Sequence, residues 1–215
     1  MENYYRELPQ GYREVMVVDA KDNKKVAALF TVCSFVLGAI AFLPILINLN
    51  GGFRSVIKGE SSRTVFITYL VAMASFIAYI ILHELVHGAA YRALTHQKLT
   101  FGLTLTVAFC GVPDVYTSRK TALIALAAPF LTFNIILIPL VIWLHSVNQL
   151  FFLFAGILFA LHFGGCIGDL YMMYILLFKY KDPNLFEWPN VSSIAAFAPQ
   201  NYKFNFIMHN AQRII

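Results

Sequence analysis

Thr64–Leu94, TVFITYLVAMASFIAYIILHELVHGAAYRAL, decides how the rest of the chain is read. As a helix it is long enough to cross the ~30 Å hydrocarbon core of a bilayer, and it carries His83-Glu84-Leu85-Val86-His87. Four residues apart on a helix, His83 and His87 lie on one face a turn apart, so both rings can direct a nitrogen at one metal ion. Glu84 neighbours them there. It is badly placed to ligate alongside both, but its carboxylate reaches a water held by the metal. The same residues could simply cap the wet end of a membrane helix. Three uncommon residue types at fixed positions coincide by accident in on the order of one window in ten thousand or fewer, which favours the metal.

Composition agrees with a membrane setting. The chain is 59% hydrophobic and 13% charged, with a mean hydropathy of +0.68, far too apolar for a soluble domain of this size. The net charge of +5 does not indicate nucleic acid, because the basic residues are scattered between apolar spans instead of gathered on one face. Cys33, Cys110 and Cys166 are odd in number and set in apolar sequence, so a disulfide framework is not expected. The first two dozen residues lack an apolar stretch with a small-residue cleavage site, so the first span is expected to direct insertion itself.

Outward from the motif, three more spans are expected: Val26 to Leu49, Thr121 to Trp143 and Leu150 to Tyr180. Pro44, Pro129 and Pro139 are tolerated as prolines are in membrane helices, the last two implying a kink. Val15–Val18 suggests a short strand, and Pro9-Gln10-Gly11 and Gly111–Asp114 suggest turns. From Leu99 to Cys110 apolar residues alternate with threonine and small residues, a period of two that predicts a strand or hairpin beside the metal helix. Such an edge can hold an extended peptide by strand addition, or be a plain surface ribbon. The fold expected is thus an all-α integral membrane protein with four transmembrane helices and a short strand or hairpin between the second and third. Residues 1–25 are expected to be a cytosolic segment, 26–180 the membrane domain, and 181–215 a non-spanning tail.

Orientation follows from lysine and arginine. Placing both termini in the cytosol puts thirteen of them inside and three outside, in line with the positive-inside rule. The second and fourth spans then run the same way, and Thr64 to His83 is as long as Leu150 to Asp169. Both polar groups sit ~28 Å along their helices, toward the cytosolic side, so Asp169 can face the histidine pair as a third ligand. An aspartate in a span needs a partner, which a divalent cation supplies, although water or a basic residue at the membrane edge would also serve. Gly164, Gly165 and Gly168 allow close approach of another helix. His162, two turns earlier, is an alternative ligand, a hydrogen-bond donor to a ligand, a transition-state stabiliser or a satisfied buried histidine. Asn134 can hydrogen-bond substrate backbone or another helix. His96, His145 and His209 lie at or beyond span ends.

With these residues in view, the chain resembles a zincin-type membrane peptidase family, a small bacterial group similar to the site-2 protease class of intramembrane metalloproteases. The likeness rests on Leu8–Tyr12, His83–His87, the alternating segment, Ala127-Ala128-Pro129 and Gly168-Asp169. It implies zinc on His83, His87 and Asp169, with Glu84 catalytic. Site-2 proteases carry Leu-Asp-Gly or Asn-Pro-Asp-Gly around the acidic ligand, whereas here Gly168 precedes Asp169 and Leu170 follows it. Their Gly-Pro helix with a nearby asparagine is approximated by Ala128-Pro129 and Asn134.

The function expected is zinc-dependent proteolysis of membrane or membrane-adjacent proteins at the cell membrane. The substrate protein and the bilayer are the partners, and oligomeric state is left open. Two rivals are a metal-binding transporter, which should need more intramembrane carboxylates than this chain has, and a catalytically silent relative that binds a client.

Overall fold

The computed structural model describes residues 4–8, 10–19, 24–103, 108–111, 115–179, 186–189 and 193–199. The helices are α1 (Lys24–Ile47), a short α2 (Gly52–Lys58), α3 (Ser62–Thr95), α4 (Arg119–Val147), α5 (Gln149–Gly165) and α6 (Ile167–Tyr174), the last running on as a π-helical turn, Ile175–Lys179. Four segments are long and apolar enough to cross a membrane: α1, α3, α4 and the stretch Gln149–Lys179. The four expected spans are therefore present, with ends displaced by a few residues. The fourth differs in one respect: it is broken at Cys166, whose N–H turns back to the carbonyls of His162 and Gly164. Gly164 and Gly165 are weak helix formers just ahead of the break, and Asp169 sits in the first turn of α6, where a carboxylate suits the unpaired N–H groups.

The strands are β1 (Tyr4–Tyr5), β2 (Tyr12–Asp19), β3 (Thr100–Leu103), β4 (Ala108–Gly111), β5 (Tyr116–Ser118), β6 (Phe186–Pro189) and β7 (Ser193–Pro199). The alternating segment is a hairpin, β3 against β4, with Thr100 opposite Gly111 and Leu103 opposite Ala108. Its turn, residues 104–107, and the expected turn at residues 112–114 lie outside the described residues. The strand expected at Val15–Val18 belongs to the longer β2, which pairs antiparallel with β7, Tyr12 opposite Pro199 and Asp19 opposite Ser193. These two complete a five-stranded sheet in the order β1-β5-β6-β7-β2. The tail expected only to be non-spanning thus supplies two of its strands.

Two compact units divide the chain. One comprises Phe30–His83 and Pro129–Gly168, the other Met1–Leu29, Glu84–Ala128 and Asp169–Ile215. The first unit is helical. Lipid is as apolar as leucine, so its helices cohere through close packing more than through a hydrophobic drive, and small residues make the approach possible. Gly38 of α1 faces the carbonyl of Ala160, Gly156 of α5 faces Ile45, and Gly164 faces the carbonyl of Ser34. Near the chain reversals Ile45, Leu49, Val56, Val141, Leu150, Phe152 and Leu153 form a buried cluster. Asn148 starts α5 by accepting from the N–H groups of Leu150 and Phe151, at 2.8 and 3.2 Å. Its amide also donates to Glu60 Oε1 at 2.9 Å, tying the two reversals together. Phe35, Ile40, Ile135 and Ile142 point outward, as lipid-facing residues do.

The second unit holds both sheets. Tyr91, Val115 and Ala125 are its buried apolar cluster, with Tyr4, Ala90 and Leu99 packed on it. α3 ends at His96, which takes a left-handed φ of 55°, a usual way to stop a helix. Arg119 donates from Nε to the carbonyl of Leu176 at 2.7 Å, fastening the start of α4 to the π turn.

A Cβ at Gly164 would stand 2.7 Å from the Ser34 carbonyl oxygen, and backbone would have to move. Gly164→Ala is expected to cost ~1–3 kcal/mol through overpacking and to lower the thermal midpoint in detergent. Gly168→Ala meets nothing within 4 Å and should leave the midpoint at or above that of the parent.

Candidate metal centre

α3 passes unbroken through the motif, so the relation of His83 to His87 is set by helix geometry. Each offers a ring nitrogen, and the two lie within 4.8 Å of each other. Both rings are buried, His83 8% and His87 9% exposed. The expectation that they share a face holds. Glu84, partly buried, is three residues from His87 and hence its neighbour on the helix surface.

His87 has a defined tautomer. Its Nδ1 lies 2.8 Å from the carbonyl oxygen of Ala125, which can only accept, so Nδ1 carries the hydrogen. A neutral ring then carries its lone pair on Nε2. That atom faces Asp169 Oδ1 at 3.3 Å. A lone pair and a carboxylate oxygen held together in a largely buried place repel unless something positive lies between them. A proton on Nε2 is one answer, but a charge-assisted N–H to O bond prefers ~2.7–2.9 Å. A cation is the other. Two ligands at ~2.0–2.1 Å from one tetrahedral zinc stand ~3.3–3.4 Å apart, the separation seen. A carbonyl on the far ring nitrogen is the usual support for a metal-binding histidine. The donor set therefore fits zinc.

Asp169 meets His87 as expected from its depth in the fourth span, and the break at Cys166 is what starts the short helix carrying it. His162 is fully buried (0% exposed) in the helical unit, where Tyr79 Oη lies 3.0 Å from its Nδ1. The same hydroxyl lies 3.1 Å from Nδ1 of His83. Asn134 is a helix-to-helix contact: its Nδ2 is 2.7 Å from the carbonyl of Phe130 and 3.3 Å from Nε2 of His162. Phe133 stacks on His83 with an interplanar angle of 13°.

Tyr79 was not among the residues expected here. A signal existed: it precedes His83 by four, on the same helix face, and a tyrosine buried in a span must find a partner for its hydroxyl. Of the other histidines, His145 packs edge-on against Phe152, His96 ends α3, and His209 lies outside the described residues.

Comparison with known proteins adds one finding. A family model, DUF3267, described as "Putative zincin peptidase", matches residues 76–183. The match takes in the motif, the hairpin, α4 and Asp169. No curated protein and no solved structure matches the chain. Covering half of the chain, with His83, Glu84, His87 and Asp169 inside it, the match establishes that this protein belongs to the zincin peptidase family of that description.

Proposed function

We propose that the protein is a zinc-dependent, membrane-embedded metalloprotease that cuts membrane or membrane-adjacent proteins. His83, His87 and Asp169 are its zinc ligands and Glu84 is its catalytic base. The observation that carries this reading is the lone pair of His87 Nε2 held 3.3 Å from Asp169 Oδ1, an arrangement a cation stabilises. Family membership supports a metallopeptidase role, and four helices able to cross a membrane support the setting.

When bound, zinc lowers the pKa of a coordinated water to about 7 and polarises a carbonyl. The chain's residues do the rest. His87, steadied by the Ala125 carbonyl, keeps its Nε2 lone pair aimed. Glu84 takes a proton from the attacking water and delivers it to the departing amine. The β3–β4 hairpin, two-stranded among the described residues, supports a peptide substrate, because an added strand would be held extended with its carbonyls in register. The distribution of lysine and arginine supports a cytosolic side for both termini, from which water reaches the centre.

Glu84→Gln should retain one zinc per chain by elemental analysis and lose peptide cleavage by ~10²–10⁴-fold. A transporter or client-binding scaffold would instead keep its function, so undiminished activity contradicts the assignment. Asp169→Ala should weaken zinc binding by more than the ~10–100-fold that loss of a supporting hydrogen bond costs. Full zinc occupancy in that variant, measured against a competing chelator, would remove Asp169 from the ligand set.

A further inference from the structure

Where α1 turns back into α3, two hollows meet at Glu60, which lines both. One, of about 320 Å³, is mostly polar, with Asn50, Ser55, Asn148 and Gln149 around it. The other, of about 480 Å³, is apolar, with Ile57, Val65, Phe66, Tyr69 and Phe154. Each has the size of a small-ligand site, ~300–1,000 Å³. Both are built by packing. Val56 and Leu150, which line the first, belong to the buried cluster, and Ile57, Val65 and Phe154 of the second pack against it. All of these residues lie in the helical unit.

Phe66 and Tyr69, on the wall of the apolar hollow, are exposed, and in a span such surface meets hydrocarbon. The polar hollow lies at the chain reversals. That level is marked by Tyr69 and by Trp143, which is exposed one turn before the end of α4, as aromatic residues mark a membrane interface. An occupant therefore has a polar end in the interfacial layer and a chain in the hydrocarbon, the shape of a phospholipid. Charge narrows the head group. Among the described residues Glu60 is the one charged side chain in either lining. Its Oε1 accepts from Asn148 Nδ2 at 2.9 Å, and its other oxygen can accept from a further donor. Arg54, Lys58 and Arg63 are exposed on the same reversal and line neither hollow. Negative charge within and positive charge around suit a zwitterion that brings N–H donors inward and leaves its phosphate at the rim. An anionic head would set its charge beside Glu60, and a choline head has no N–H to give.

We propose that this cleft binds one aminophospholipid, its ammonium donating to Glu60, its phosphate beside Lys58 or Arg63, and one acyl chain over Phe66 and Tyr69. The second chain stays in the bilayer. The site is separate from the metal centre, because α3 runs unbroken from Ser62 to His83 and so sets them roughly 30 Å apart. Bound there, the lipid bridges α2 and α3 at the reversal that the Asn148–Glu60 bond already joins to the start of α5.

The test is native mass spectrometry of the full-length protein in detergent, titrated separately with phosphatidylethanolamine, phosphatidylcholine and phosphatidylglycerol of identical acyl chains. One phosphatidylethanolamine per chain is expected, bound ~10-fold or more tightly than the other two, as a hydrogen bond to a carboxylate implies. Glu60→Gln keeps an oxygen to accept from Asn148 and should bring phosphatidylethanolamine down to the level of phosphatidylcholine. Val65→Phe, which adds bulk to the apolar hollow, should weaken all three, and unchanged binding contradicts the placing of the chain. Equal binding of the three lipids by the parent overturns the proposal, as does a preference for phosphatidylglycerol, which would give the site to the cations. Selectivity undiminished by Glu60→Gln places the lipid elsewhere and overturns it too. A dimer that excludes lipid overturns it in favour of a second copy of the chain.

Discussion

The proposed centre depends on one close approach. His87 Nε2 and Asp169 Oδ1 stand 3.3 Å apart, and the Ala125 carbonyl removes the simplest escape by holding the histidine hydrogen on the other nitrogen. In water such a pair would turn away from each other. Here both side chains are largely buried, and a cation between them would make the arrangement stable. An aspartate in an apolar span is costly to keep without a partner, so an ion held here would also account for the residue's place in the span.

The surrounding elements set that pair up. An unbroken α3 brings His83, Glu84 and His87 in fixed rotation. Asp169 needs the opposite, an interruption: the chain stops at Cys166 and restarts as α6, so the carboxylate falls in a helical first turn. Glycine recurs close by for a separate reason, since Gly164 lets α5 lie against the backbone of α1.

Much of this was legible in the residues alone, because the relevant signals are local. A helical spacing of four, an apolar run long enough for a bilayer and a period-two stretch each report on their own neighbourhood, and the spans, the motif and the hairpin follow from them. Asp169 was placed by counting along two apolar runs that begin at comparable points. The five-stranded sheet was not legible in the same way: β2 pairs with β7 across nearly the whole chain, and neither FEWP nor SIAAFAP announces its partner. Pairing of that kind is decided by tertiary context. Cys166 as a break and Tyr79 as a bridge were missed for a related cause, since an apolar stretch averages over single residues. The residues alone leave several roles open for His162; its hydrogen-bond neighbours include Tyr79 and Asn134.

The most direct measurement is zinc-edge X-ray absorption on the purified full-length protein in lipid. The account predicts one zinc per chain surrounded by nitrogen and oxygen only, at ~2.0–2.2 Å, with imidazole scattering from two histidines. A sulfur neighbour at ~2.3 Å would place the ion at Cys166 and contradict the centre described, as would protein that acquires no zinc.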